Sequence, residues 1–196
     1  MSNRKSIFDT WDITETELTE LINSNPSLRG MLLGYIAEYK FQSLILKNPL
    51  ISSSYKDDDH DRSKKGDRRI VYKEKEFTIE VKSLQTHTVK STGNNCWIGK
   101  TQVDGSDRRI VQFPDGTELN TTLLLRGEFD ILAVNCFSFG DKWQFIYCKN
   151  KDLPTSSYSK YTEAQQNELI ASLVTVTWPP VPPFTDNLFT LLEEML

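Results

Sequence analysis

Residues 66–84 read GDRRIVYKEKEFTIEVKSL and contain the clearest structural signal in the sequence. Two runs rich in β-branched and aromatic residues, 67–72 and 77–84, lie on either side of a charged connection at 73–76. Such runs joined by a short polar connection predict a β-hairpin. Because side chains alternate between the two faces of a strand, the second run has charged residues on one face and apolar residues on the other.

The charged residues of this hairpin form a candidate metal site. Glu80 and Lys82 are two residues apart and therefore project from the same face of their strand. An antiparallel pairing brings Asp67, on the preceding strand, beside Glu80. Clustered carboxylates that hold Mg²⁺ supply what phosphodiester hydrolysis needs, namely an attacking hydroxide, charge neutralisation at phosphorus and help for the leaving oxygen. The alternative is an amphipathic edge hairpin with a solvated charged face.

Residues 66–71, a turn and residues 77–82 resemble the signature of the PD-(D/E)xK nucleases, a superfamily that includes restriction enzymes and archaeal junction resolvases. In that family two acids hold Mg²⁺, and the lysine orients or activates the attacking water and stabilises the transition state. The resemblance implies that Asp67 and Glu80 are metal ligands, with Mn²⁺ as a substitute for Mg²⁺. It also implies that Lys82 is the cationic catalytic partner.

The identity of the first metal ligand is the less secure part of this assignment. Gly66 stands where the literal pattern of the family has a proline. Two nearby aspartates, Asp57 and Asp61, therefore stay open as alternatives to Asp67.

A helix upstream offers a further acid. Apolar residues recur at helical spacing over residues 27–47 and predict a long helix, on which Glu38 shares a face with Met31 and Tyr35. An acid on a mostly apolar face needs a partner or a metal nearby. The family tends to place a glutamate on a helix before the hairpin, and residues 34–38 (GYIAE) resemble that element. Glu38 is therefore predicted to be a further catalytic residue.

The other segments predict an α/β domain. They comprise a capped helix at 14–25, a polar loop at 52–66, an inserted hairpin within 93–120, central strands at 129–137 and 143–148, and a C-terminal extension at 155–196 with a helix at 163–173, a strand at 174–178 and a helix at 186–196. The resemblance implies the family's αβββαβ core over about residues 28–150, with a mixed sheet flanked by helices, in a single domain of 196 residues. No helix is evident over residues 86–127, where the family has one between its third and fourth strands.

The charge balance restricts how this chain could bind nucleic acid. With 23 basic and 27 acidic side chains the formal net charge is -4, so a polyanion has to be met by local basic patches. The candidate DNA contacts are Lys64, Lys65, Arg68, Arg69, Lys100, Arg108 and Arg109. Two alternatives remain open: the aspartates over 57–61 make the first group part of a mixed solvated loop, and the last three residues belong to an ordinary polar hairpin.

Other reactive residues are predicted to be structural. Asp130, in an apolar strand, is expected to be a paired acid rather than a third metal ligand. His60 and His87 lack the spacing of a zinc site and are expected at the surface. The three cysteines have no paired spacing and predict free thiols in a reducing cytoplasm: Cys96, Cys136 and Cys148.

The function predicted from the sequence is Mg²⁺-dependent cleavage of double-stranded DNA by a type II restriction endonuclease. A homodimer is expected because cutting two strands requires two sites related by a two-fold axis. Phosphate-binding and dinucleotide-binding glycine motifs are absent, so no nucleotide cofactor is expected.

The sequence has no secretory signal and no apolar run near the roughly 20 residues that span a bilayer, so the expected location is cytoplasmic, without a membrane partner. The alternatives are a structure-specific or repair nuclease of the junction-resolvase kind, a non-catalytic DNA-binding module, and an interaction protein without a DNA role.

Overall fold

The computed structural model describes residues 5–56 and 66–196. The chain divides after Ile36 into two compact units, the second of which runs from Ala37 to Leu196. Among the described residues, no helix combines the length and apolarity required to span a lipid bilayer.

The first unit is helical. It contains the helices α1 (Ile7–Trp11), α2 (Glu15–Ser24) and the beginning of α3 (Pro26–Leu44). At the start of α2 the Glu17 amide donates to Thr14 Oγ1 at 3.2 Å, and the Glu17 carboxylate accepts from the Thr14 amide at 2.8 Å. This reciprocal capping box confirms the predicted N-terminal helix. Pro26 begins α3, because a proline suits the first turn of a helix, where its missing N–H is not needed.

The second unit is mainly β-structure. In chain order its elements are β1 (Ile51–Tyr55), β2 (Arg68–Tyr72), β3 (Lys75–Ser83), β4 (Lys90–Gly93), β5 (Cys96–Gln102), β6 (Asp104–Gln112), β7 (Glu118–Leu123), β8 (Ile131–Asn135), β9 (Phe145–Lys149), α4 (Glu163–Glu168), β10 (Leu173–Trp178) and α5 (Leu188–Glu193). They form a five-stranded sheet in the order β1-β2-β3-β8-β9, a three-stranded sheet β10-β5-β4, and the hairpin β6-β7. The protein is thus a mixed α/β structure with few helices.

The five-stranded sheet is mixed, as predicted. Strands β3 and β8 pair in parallel, and the other neighbours pair antiparallel. The predicted hairpin, β2-β3, and the predicted central strands, β8 and β9, are confirmed. All five residues of β8 are buried, as expected for a strand covered on both faces.

The prediction of a loop at 52–66 is wrong for its first residues, since Ser52 to Tyr55 belong to β1. The sequence of this strand, ISSSY, contains too few apolar residues for the alternating pattern of a β-strand to be recognised. This composition is explained by the position of β1 at the edge of the sheet. Residues 57–65 lie outside the described residues.

Within residues 5–56 and 66–196, helices cover one face of the five-stranded sheet. On that face Ala37 and Phe41 of α3, and Leu191 and Leu192 of α5, pack with Ile79 and other apolar residues of β2, β3, β8 and β9. The opposite face, with Leu132 and Val134, packs against Val174 and Val176 of the three-stranded sheet. The predicted mixed sheet is therefore flanked by helices on this first face, whereas a second β-sheet covers the opposite face.

This second sheet explains why residues 86–127 show no helical pattern. The segment forms β4 to β7, of which the sequence had predicted only the hairpin β6-β7. The predicted strand at 174–178 is confirmed as β10, and the last helix is confirmed as α5. The helix predicted at 163–173 ends at Glu168, because Leu169 and Ile170 form β-bridges with Leu125 and Thr155.

Candidate active site

The hairpin register holds Asp67 next to Glu80. Arg68 pairs with Ile79, so the next position along each strand sets Asp67 opposite Glu80. The Asp67 amide donates to the Ile79 carbonyl at 2.8 Å, and the Val81 amide donates to Asp67 Oδ2 at 2.7 Å. These bonds fix the Asp67 backbone and carboxylate at the point where the chain enters β2.

Gly66 is explained by this geometry. Its φ of +87° lies in the left-handed region that glycine tolerates, and a Cβ there would lie 3.4 Å from the Ile79 carbonyl oxygen. Proline, whose φ is held near about -65°, cannot adopt this conformation. The turn that positions Asp67 therefore favours glycine at position 66 and excludes proline.

Glu80 and Lys82 form an ion pair on the face of β3 that points away from the helices. Ile79 and Val81 pack into the helix-side core, so the alternating residues project to the other side. Lys82 Nζ lies 2.6 Å from Glu80 Oε1, and the two side chains are only 24% and 11% exposed. The predicted pair is thus brought together in a partly enclosed position.

The pKa values of this pair reflect a crowded negative site. Burial raises the pKa of Glu80 to about 7, and the Asp67 carboxylate adds to this rise although Lys82 opposes it. Burial alone would lower the pKa of Lys82, but the Glu80 and Asp67 carboxylates together raise it above the usual value. Lys82 therefore keeps its proton and its positive charge. That one charge does not fully compensate the negative charges of Glu80 and Asp67.

Glu38, on α3, interacts electrostatically with Asp67 and Glu80. Its Oε2 accepts a hydrogen bond from Lys56 Nζ at 2.9 Å, and its side chain is 16% exposed. Burial raises the pKa of Glu38, the Lys56 hydrogen bond opposes that effect, and the Asp67 charge raises the pKa further. The charge of Glu38 also acts on Glu80. The structure thus gathers the four predicted catalytic residues, Glu38, Asp67, Glu80 and Lys82, into one interacting set.

Two further residues that interact with this set were not predicted from the sequence. Lys56 follows β1 and neutralises Glu38, and Asp104 begins β6 and helps to raise the pKa of Lys82. Asp104 Oδ2 accepts hydrogen bonds from Gln102 Nε2 at 3.0 Å and from Thr122 Oγ1 at 3.4 Å. Each residue lies in a segment without clear periodicity, so only the pairing of distant strands reveals its place.

The donor set fits a hard cation with few protein ligands. Among residues 5–56 and 66–196 there is no group of three or more His, Cys, Asp or Glu side chains arranged to hold a metal ion. Mg²⁺ needs no such group, because it is commonly held by one or two carboxylates and completes its shell with water and phosphate oxygens. Asp67 and Glu80 provide two adjacent carboxylates of this kind. Asp57 and Asp61, the alternative ligands, lie outside the described residues.

The predicted DNA contacts differ in their surroundings. Lys100 and Arg108 are exposed, and Lys64 and Lys65 lie outside the described residues. Exposed lysine and arginine side chains keep their donors available to phosphate.

Three of the predicted arginines are instead engaged or partly buried. Arg69 pairs with Glu76 at 2.9 Å. Arg109 Nη2 lies 2.5 Å from Glu128 Oε2 and 3.3 Å from the Leu123 carbonyl, which anchors the hairpin β6-β7. Arg68 is half-buried beside the charge of Glu38, and its Nε has no hydrogen-bond partner within the described part of the chain.

Asp130 is a paired acid, as predicted. Its Oδ2 accepts hydrogen bonds from the Thr78 amide at 2.7 Å and from Thr78 Oγ1 at 2.8 Å. These bonds join the start of β8 to β3. His87 is exposed, as predicted, and His60 lies outside the described residues. The three cysteines are free thiols.

We expect Asp130→Ala to lower the free energy of unfolding by about 1–3 kcal/mol, because the Thr78 amide and hydroxyl lose their acceptor. Urea denaturation followed by circular dichroism measures this change. Asp130→Asn keeps one acceptor oxygen and serves as the matched control with a smaller loss. Unchanged stability together with a loss of Mg²⁺ binding would instead identify Asp130 as a metal ligand.

Comparison of the chain with protein-family models, curated proteins and solved structures gave no significant match. The functional interpretation therefore depends on the chemistry of the site itself. That chemistry is a buried carboxylate, Glu80, opposite the partly buried Asp67 on the neighbouring strand, with Lys82 in direct contact with Glu80.

Proposed function

We propose that this protein is a Mg²⁺-dependent endonuclease that hydrolyses phosphodiester bonds of double-stranded DNA, as a type II restriction endonuclease of the PD-(D/E)xK kind. The observation that carries the proposal is the cluster of Asp67, Glu80 and Lys82. Two carboxylates and one ammonium group share a site in which Glu80, measured over the whole residue, is only 8% exposed. Burying excess negative charge is costly unless a cation compensates it, so the cluster is better suited to binding a metal ion than to stabilising the fold.

Asp67 and Glu80 are the residues that would hold Mg²⁺, or Mn²⁺ in its place. When bound, such an ion acts as a Lewis acid on the phosphate and lowers the pKa of a coordinated water. The hydrogen bond from the Val81 amide occupies Asp67 Oδ2 and orients the carboxylate. Asp67 can then bind a cation with little reorganisation.

Lys82 has two tasks in the proposed hydrolysis. Its raised pKa keeps Nζ protonated, so it can orient the attacking water and neutralise charge that develops on the phosphate. The water oxygen forms a bond to phosphorus and releases a proton to the solvent, one P–O ester bond breaks, and the departing sugar oxygen takes up a proton from the solvent. Asp104 supports this role as a positioning residue, because its charge acts on Lys82 from β6.

The order of elements supports the proposed family core as far as the third strand. A helix with an acid, α3, precedes three antiparallel strands, and β8 then pairs in parallel with the strand that carries Glu80 and Lys82. The connection to β8 departs from the family pattern, because it contains β4 to β7 rather than a helix. A homodimer is part of the proposal, since a two-fold pair of sites cuts both strands of a duplex.

The decisive experiment incubates the purified protein with unmethylated plasmid and genomic DNA, with Mg²⁺ or with a chelator, and sequences the fragment ends. We expect discrete fragments that require Mg²⁺ and share one sequence at their ends. Selective cutting of branched substrates would identify a junction-resolvase-like enzyme instead. Salt-dependent DNA binding without cleavage would indicate a binding module, and the absence of DNA binding would overturn the proposal.

A further inference from the structure

A cleft of about 260 Å³ opens beside β7, away from the carboxylates of the candidate active site. Its walls include Arg108, Asn120, Thr122, Tyr158 and Tyr161. Pockets that enclose drug-sized ligands measure about 300–1,000 Å³, so this cleft suits a smaller group. Its walls combine aromatic rings, hydroxyls, an amide and a guanidinium, a mixture that favours a flat polar ligand with a negative charge.

The aromatic wall offers a stacking surface. The rings of Tyr158 and Tyr161 meet edge to face, with centroids 5.0 Å apart and an interplanar angle of 78°. Tyr158 is 49% exposed, so much of this side chain remains accessible. Lys160 Nζ lies 6.0 Å from the Tyr158 centroid and adds positive charge. A nucleobase can stack on such a ring, and this contact tolerates any base.

The polar wall offers groups for a base edge and a phosphate. Arg108 lines the cleft, and its Nη1 donates to the Asn120 carbonyl at 3.5 Å. The side-chain amide of Asn120 can both donate and accept hydrogen bonds, as recognition of a base edge requires. Arginine binds phosphate through charge-assisted hydrogen bonds.

The cleft is connected to the candidate active site through two residues. Thr122 lines the cleft and donates from Oγ1 to Asp104 Oδ2 at 3.4 Å, and the charge of Asp104 acts on Lys82. Arg108 supplies the positive charge among the residues that line the cleft. A phosphate is therefore favoured at Arg108, and a base at Tyr158 and Tyr161.

We propose that this cleft binds one DNA nucleotide unstacked from its neighbours, with the base on Tyr158 and the phosphate at Arg108. This inference rests on the proposed function, since it assumes that DNA is the substrate. Removing a nucleotide from the stack loses its contacts with the neighbouring bases, and stacking on tyrosine together with an arginine–phosphate contact offsets that loss.

The test follows fluorine NMR signals of the full-length protein labelled with 3-fluorotyrosine, in the presence of a chelator. Tyr158→Phe and Tyr161→Phe assign the two signals. The ligands are the four deoxynucleoside monophosphates, the corresponding nucleosides, inorganic phosphate and a thymidine octamer. We expect the nucleotides and the octamer to shift both signals, with weaker effects of nucleosides and of phosphate alone.

Arg108→Ala should weaken nucleotide binding about tenfold, the loss expected for one charge-assisted hydrogen bond. Lys90→Ala, which removes a lysine from β4 outside the cleft, is the matched control and should leave binding unchanged. Equal shifts with phosphate alone, or no shift with any nucleotide or with the octamer, would overturn the inference.

Failure of this inference can be separated from failure of the proposed function. If the wild type cleaves DNA with Mg²⁺ but Tyr158→Ala and Arg108→Ala cleave and bind DNA equally well, the cleft has no role and the inference is overturned. If nucleotides bind in the cleft but no DNA is cleaved, the cleft assignment is supported while the nuclease proposal is not.

Discussion

Lys82→Ala and Glu80→Gln are each expected to reduce the rate of Mg²⁺-dependent DNA cleavage by about 10³-fold or more. Lys82 Nζ lies 2.6 Å from Glu80 Oε1, so each substitution removes one half of a contact pair at the proposed reaction centre. Loss of a single preorganised group that stabilises developing charge typically costs about 10²–10³ in turnover, and loss of a metal ligand adds to that cost. The measurement is the single-turnover rate of plasmid cleavage with excess enzyme.

Matched variants separate chemistry from folding and DNA affinity. Lys90→Ala removes an exposed lysine of β4 that is not among the predicted DNA contacts, and it should leave cleavage close to the wild-type rate. Lys82→Arg retains the positive charge but not the compact ammonium group, so it should recover little activity. DNA binding in Ca²⁺ and the circular dichroism spectrum should be the same for wild type and Lys82→Ala. Cleavage at the wild-type rate by folded Lys82→Ala would remove this lysine from the mechanism.

The local parts of this fold and site were predictable from sequence. The β2-β3 hairpin was predictable because its strands alternate apolar and charged residues around a short polar connection. The same alternation placed Glu80 and Lys82 on one face, and the register then set Asp67 opposite Glu80. The capping box at Thr14 and the continuous apolar run of β8 are similarly short-range signals.

The parts that depend on distant pairing were not predictable. The edge strand β1 and the strands β4 and β5 of the second sheet have weak periodicity, and each is stabilised by its neighbours rather than by its own sequence. Thr101 of β5 bridges Leu84 and donates from Oγ1 to the Ser83 carbonyl at 3.1 Å, which ties the second sheet to the end of β3. That connection leads into β6 and thereby brings Asp104 towards Lys82. No spacing rule in the sequence encodes such a contact.

The metal-free protein is expected to lose stability as the pH rises from about 5 to 8, through the ionisation of Glu80. Its pKa is raised from 4.5 in an unperturbed glutamate to about 7 in the fold, so folding favours the protonated carboxyl. The stabilising contribution is complete below pH 4.5 and disappears as the pH rises through 7. At 1.36 kcal/mol per pKa unit the contribution is at most about 3 kcal/mol. Urea denaturation across this pH range should show the loss in wild type and not in Glu80→Gln.

Mg²⁺ should reverse this loss, because a cation binds the ionised carboxylate and displaces its proton. The increase in melting temperature on adding Mg²⁺ should therefore be larger at pH 8 than at pH 6, and it should be absent in Glu80→Gln. Equal ionic strength supplied by NaCl is the control, because general screening of surface charges is not specific for the metal. An equal Mg²⁺ effect in wild type and in both Glu80→Gln and Asp67→Asn would show that the ion binds elsewhere. A pH-dependent effect confined to the intact pair would place the cation at Asp67 and Glu80 independently of any cleavage assay.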